Sequence, residues 1–183
     1  MSDSVLSLPP VRRLVTAINA RGHSYIAEDG PSPARLYNDA RPGYCNANIW
    51  RTNGAPADAA AADDITAHQG VLPPQHGTVL RVIDFPPQPT DPEEQRRQAE
   101  AVFQTMFKDA AHQAGSARHP GMHLTQTIDY AIVLHGEIVA ILDEDETVMR
   151  AGDILIQRGT NHAWANRSAA MARVAFVLID AQN

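Results

Sequence analysis

Two short stretches in the last third of the chain carry the residue types that do chemistry. The first is Gly121-Met122-His123-Leu124-Thr125, followed by Asp129 and Gly136. The second is Gly152-Asp153, followed by Gly159-Thr160-Asn161-His162-Ala163-Trp164-Ala165-Asn166. Each sets a histidine beside strand-like sequence with a carboxylate nearby. Imidazole and carboxylate groups gathered inside a barrel are the raw material of a mononuclear metal site.

The elements that must position these groups are mostly strands. Val11 to Ile18 and His23 to Glu28 form a hairpin about Asn19-Ala20-Arg21-Gly22, where Asn and Gly tolerate positive φ. A loop runs from Glu28 to Pro33. Tyr44 to Thr52 is a strand closed by Asn53-Gly54, and Ala55 to Gln69, rich in Ala and Asp, is expected to be a mobile loop with at most a helical turn. Thr78 to Phe85 is a strand stopped by Pro86 and Pro87, which lack the ladder N–H. One helix follows. Asp91 caps it, Pro92 suits its first position, and Glu93 and Glu94 complement its positive end. Ala99, Val102, Phe103, Met106, Phe107 and Ala110 make its buried stripe. Beyond Met122 the pattern is nearly continuous β: Ile128–Leu134, Glu137–Leu142, Thr147–Arg150, Ile154–Gln157 and Ala172–Ile179, with Gly and Asp turns between. Short antiparallel strands at this spacing indicate a sandwich or small barrel.

In their order and spacing, the two motifs resemble those of the cupins, the double-stranded β-helix barrels of jelly-roll topology. His123 stands at the family's first histidine, Asp129 at its glutamate and Gly136 at its glycine; Thr125 occupies the second histidine position. Gly152, Gly159, His162 and Asn166 match the second motif, with Gln157 or Arg158 where the family has proline and the spacing one residue short. Thr127-Ile128-Asp129-Tyr130 with Gln157-Arg158-Gly159-Thr160-Asn161-His162-Ala163-Trp164 resembles a subgroup of small single-domain cupins, most without assigned activity. The resemblance implies a mainly β cupin barrel: an N-terminal β extension over 1–90, an amphipathic helix over 91–114 and a core barrel over 115–183, all in one compact unit.

Residues two apart in a strand share a face, so His123, Thr125 and Thr127 point the same way. If that face looks inward, Asp129 and His162 can converge on it and hold one divalent transition metal (Fe, Mn, Ni or Zn), with positions left open for water, substrate or oxygen. The other reading is a barrel without metal, in which His123 and His162 are hydrogen-bonded pocket residues and Asp129 is a buried partner of Thr127 or Tyr130. His119 either supplies a further imidazole or is an exposed loop residue. Thr125, Thr127, Tyr130, Gln157 and Trp164 are candidates for the pocket, each with core packing as its plainer role. Arg158 either grips a substrate carboxylate or lies at the surface, and Asn166 braces the loop that holds His162. His23, His68, His76 and His112 have no ligand pattern and are assigned to the surface.

Composition sets the outer limits. The chain has 183 residues, 44% of them hydrophobic, a net charge of −6 and a pI near 5.7. That balance argues against nucleic-acid binding, and no apolar run is long enough to span a bilayer. Met1-Ser2-Asp3-Ser4 lacks the basic-then-apolar pattern of a secretory signal, and the single Cys45 cannot form an internal disulfide, which together indicate the cytoplasm. Two functions follow as expectations. The first is a metal-dependent enzyme acting on a small oxygen-rich molecule by oxidation, decarboxylation, dehydration or isomerisation. The second is a small-molecule binding or sensing module without catalysis or metal. Exposed strand edges make a homodimer the expected assembly.

Overall fold

The computed structural model describes residues 7–182; the Met1–Ser4 segment weighed above as a possible signal lies outside them. Two sheets face each other across the core. The larger has six strands: β3 (Ala34–Tyr37), β4 (Cys45–Thr52), β5 (Thr78–Phe85), β8 (Thr127–His135), β11 (Ile154–Arg158) and β13 (Ala172–Asp180), in the order β11-β8-β13-β5-β4-β3. The other has five: β6 (Ala111–His112), β7 (His123–Leu124), β9 (Glu137–Leu142), β10 (Glu146–Arg150) and β12 (His162–Ala165), in the order β10-β9-β12-β7-β6. A separate hairpin pairs β1 (Arg12–Ile18) with β2 (Ser24–Pro31). Every pairing is antiparallel.

Residues before the helix are thus structural members of the barrel: β13 lies between β8 and β5, so the N-terminal strands continue the same sheet. The hairpin turns at Gly22, whose φ of 78° fits the Asn-Ala-Arg-Gly joint. β2 runs on through Gly30 and Pro31, past the point where the sequence indicates a loop; as the outer strand of a two-stranded ribbon it tolerates Pro31 at its end. The segment 55–69 is not a loose loop. Arg51 grips Asp64 at 2.5 Å, Arg13 pairs with Asp63, and Ile65 is buried in a single 3-10 turn, Ile65–Ala67. These partners lie in other strands, which local composition does not reveal.

The helix α1 (Pro92–Thr105) starts as expected, with the Asp91 carboxylate accepting from the Glu93 N–H at 3.2 Å. It ends at Thr105, yet Met106 and Phe107 stay buried beyond it. Its apolar face joins the main core with Phe85, Val133, Ile138, Val174 and Phe176. A smaller cluster of Met122, Val139, Ile141, Ala163 and Ala165 covers the back of the five-stranded sheet. Gly136, between β8 and β9, has φ of 68°, and a Cβ there would sit 2.4 Å from the Met171 carbonyl oxygen. Only glycine meets both conditions.

Candidate functional site

Strand alternation decides what faces inward. Along β8, Thr127, Asp129, Ala131 and Val133 are buried while Ile128 and Tyr130 are exposed. In β12, His162 and Trp164 share one face and Ala163 and Ala165 the other, as a period of two requires. His162 pairs directly with His123 across β12 and β7, and His123 pairs with His112 across β7 and β6. A row of three imidazoles therefore crosses the five-stranded sheet.

Between the sheets and α1 lies a hollow in which the centre of a water-sized sphere can roam over about 100 Å³, space for several waters or a small organic group. His123, His162, Asp129, Thr125 and Trp164 all line it. The His123 and His162 rings lie 4.2 Å apart between centroids. Each holds its Nδ1 within 2.9 Å of a backbone carbonyl, that of Gly121 for His123 and of Thr160 for His162. A carbonyl only accepts, so Nδ1 carries the proton in the neutral ring and Nε2 keeps its lone pair. Burial, and then the neighbouring His162, drive His123 down to about 3; burial drives His162 down to about 4. Both are neutral at pH 7.

Asp129 comes from the opposite sheet. It is 4% exposed, and its Oδ1 is buried without a hydrogen-bond partner among the described residues. Burial raises its carboxyl to about 6, against the smaller lowering effects of Thr127 and Arg81. Thr125 and Thr127 share a hydrogen bond of 2.8 Å behind it.

The remaining expected site residues divide. Tyr130, 41% exposed on the outer face of β8, is not a pocket wall; strand parity alone excludes it once Asp129 points inward. Thr127 and Gln157 are buried but do not line the hollow. Gln157 pairs across strands with Asp129 and donates to the Thr160 carbonyl at 2.9 Å, supporting the turn into His162. Arg158 is a surface residue. Asn166 is fully buried and ties three places together. Its Nδ2 donates to the Phe85 and Ala170 carbonyls at 2.8 and 2.7 Å, and its Oδ1 accepts from Ser168.

Two histidines assigned to the surface, His68 and His112, are not there, and His119 is not an exposed loop residue. His119 lines the hollow; its Nδ1 accepts from the Gly121 N–H and its Nε2 faces the Gln88 amide oxygen at 3.4 Å. His112 stacks on Phe103, with centroids 3.9 Å apart, and bonds the Pro120 carbonyl at 2.8 Å. His68 is buried beside Arg81, and burial together with that cation lowers it to about 4. Two further lining residues, Arg41 and Arg81, carry no motif and were not signalled by the sequence.

Metal ions are common in cupin barrels, so the donors must be tested for fit. Two neutral imidazoles with Nε2 unprotonated suit a divalent transition ion. No three His, Cys, Asp or Glu side chains stand together as a ligand group among the described residues. The donors that fit are therefore His123 and His162, with Asp129 in the same hollow but outside that pair.

Comparison with known proteins places the chain among relatives. The Cupin domain family matches residues 110–179. The phomopsin biosynthesis cluster protein C′ of Diaporthe leptostromiformis is 33% identical over 176 residues, covering 86% of this chain and 78% of its own. The cupin-domain-containing oxidoreductase srdD of Neurospora crassa is 27% identical over 180 residues, covering 94% and 76%. A cupin 2 conserved barrel domain protein from Salinispora arenicola CNS-205 superposes over 57% of this chain and 64% of its own, at 14% identity and a TM-score of 0.38. No described helix is long and apolar enough to cross a membrane. With a relative this similar along most of both lengths, and with the fold and both motifs in place, the chain belongs to the cupin superfamily.

Proposed function

We propose that this cupin is an enzyme that works on a small, oxygen-bearing organic molecule inside the barrel, with one divalent transition metal (Fe, Mn, Ni or Zn) on His123 and His162. The observation that carries this reading is the imidazole pair, 4.2 Å apart, each Nδ1 held by a carbonyl so that Nε2 is free to donate electrons. A bound ion supplies Lewis-acid polarisation of a substrate oxygen. Asp129, shifted to about 6, holds or releases a proton near neutral pH, which is what a general acid or base requires. Thr125 and Trp164 bound the space available to substrate, and the apolar wall excludes bulk water. The Neurospora relative is named an oxidoreductase, which favours oxidation among the reactions open to such a site.

A second reading, a binding module without metal, draws support from Thr125 at the family's second histidine position and from the absence of a three-donor group among the described residues. Elemental analysis of untagged protein separates the two. The enzyme reading expects about one ion per chain in the wild type, loss of at least about tenfold in His123→Ala and His162→Ala, and retention in Asp129→Asn. Metal-free wild-type protein that still binds small molecules favours the module.

A further inference from the structure

Eight arginines (Arg12, Arg13, Arg51, Arg96, Arg97, Arg150, Arg167 and Arg173) form ion pairs with carboxylates. The two that line the hollow do not. Arg81 is 1% exposed; its terminal nitrogens donate to the Val71 and Gly70 carbonyls at 2.6 and 3.3 Å, and its Nε is buried without a partner. Arg41 is half-buried over the rings of Tyr44 and Phe85 at 4.8 and 5.8 Å; its Nε is buried without a partner, and its guanidinium makes no hydrogen bond or ion pair with any described residue. Asp129 is the one carboxylate on the wall and is paired with neither arginine. The hollow thus holds two cations against one carboxylate, among apolar side chains, amides, neutral imidazoles and the hydroxyls of Tyr44 and Thr125.

An unpaired charge held even partly out of water is costly, and a sequence that keeps one there gains something when the partner arrives. Arg81 is committed to backbone carbonyls and fixes a positive field. Arg41 is the free fork. A guanidinium presents two parallel N–H groups that match one carboxylate in plane, and a single fork amid aromatic walls suits a carboxylate better than a more highly charged phosphate. We propose that the hollow binds its substrate through a carboxylate, with Arg41 as the anchor and Phe85, Phe103 and Trp164 against the apolar remainder. This deepens the reading of the hollow as an active site and rests on it. It also replaces Arg158 with Arg41 as the arginine suited to that task.

The test is calorimetric titration of the full chain, as purified and after dialysis against EDTA. Benzoate, cinnamate and hexanoate are compared with their own amides, which keep the shape and lose the charge. At least one acid binds about tenfold or more tightly than its amide, in both preparations. Arg41→Gln brings acid and amide to within about twofold, while Arg158→Gln at the surface leaves the preference unchanged. If circular dichroism shows Arg41→Gln unfolded, Arg41→Lys replaces it; it keeps the charge without the fork and lowers the preference several-fold. The proposal is overturned if no acid is preferred over its amide by the wild type, or if the preference survives in Arg41→Gln. Normal metal content without acid preference removes this inference alone. Acid preference in a protein that never holds metal removes the enzyme reading alone.

Discussion

The ionisable groups on the outside of the barrel and those in its hollow obey opposite rules. On the outside, Arg173 meets Asp84 through two hydrogen bonds of 2.6 and 2.8 Å, and Arg167 meets Glu146 in the same way. In the hollow, Arg41, Arg81 and Asp129 form no ion pair with one another, and the imidazoles are held neutral by burial. Paired charges on the outside fix segments to one another and are complete without a ligand. Unpaired charges inside are incomplete, and it is these that the proposed substrate and ion would satisfy. The contrast locates function by what the fold leaves unsatisfied rather than by a motif.

Asn166→Ala gives the largest expected stability loss. It strips a buried brace from two carbonyls and a loop N–H, and costs about 3 kcal/mol in urea denaturation; a loss under about 1 kcal/mol would show that the loop before β13 holds itself. Arg173→Ala leaves the mostly buried Asp84 without its partner and costs roughly 1–2 kcal/mol, reduced from a fully buried pair because both groups keep some exposure. Arg41→Gln breaks no hydrogen bond with a described residue and loses only its contact with the Tyr44 and Phe85 rings, so it costs at most about 1 kcal/mol; a larger loss would mean that Arg41 is structurally paired after all. The exposed Arg12–Asp29 pair sets the lower end: Arg12→Ala leaves the midpoint unchanged within error.

Acid should expose the hollow before it breaks the pairs outside. His68, His119 and His162 have folded values of about 4 and His123 of about 3, all below the ordinary imidazole value of 6.5. Between those limits the unfolded chain binds protons that the folded chain refuses, so stability is whole above pH 6.5 and falls as pH drops toward 4. Asp129, raised to about 6, acts in the opposite sense over part of the range, but it is one group against four. Asp64, held at about 2 by the Arg51 hydrogen bonds, adds its loss only below about pH 4. Urea midpoints of EDTA-treated protein from pH 7.5 to 4.5 measure this directly, and a flat profile would contradict the neutral-imidazole account.

Much of the fold was legible because strands, turns and the capped helix leave local signatures. Thr78–Phe85 and the Asp91 cap are set by neighbours a few residues away, and their bounds agree with the sequence. The two-residue strands β6 and β7 are too short to carry a period; β7 pairs on the edge of β12, and β6 in turn on β7. His162–Ala165 was not marked as a strand either, since its pairing partner is β9. The site was legible where it lay in a motif. His123, Asp129, His162, Thr125 and Trp164 reach one hollow, and Tyr130 could have been excluded by counting two along β8. His119 was left between pocket and loop because Gln88, which it faces, is distant in sequence, and His112 was missed because its stacking on Phe103 at the end of the helix leaves no ligand pattern. Arg41 and Arg81 were missed because an arginine gives no sign of being unpaired until the chain is folded.

The central claim is that two imidazoles on neighbouring strands present their Nε2 atoms to one metal ion inside the barrel. An anomalous-difference map from crystals of metal-loaded protein tests it most directly. The account predicts one dominant peak about 2.1 Å from the Nε2 of both His123 and His162, absent in His162→Ala crystals. A peak away from both rings, or a loaded crystal with no peak in the hollow, would contradict it.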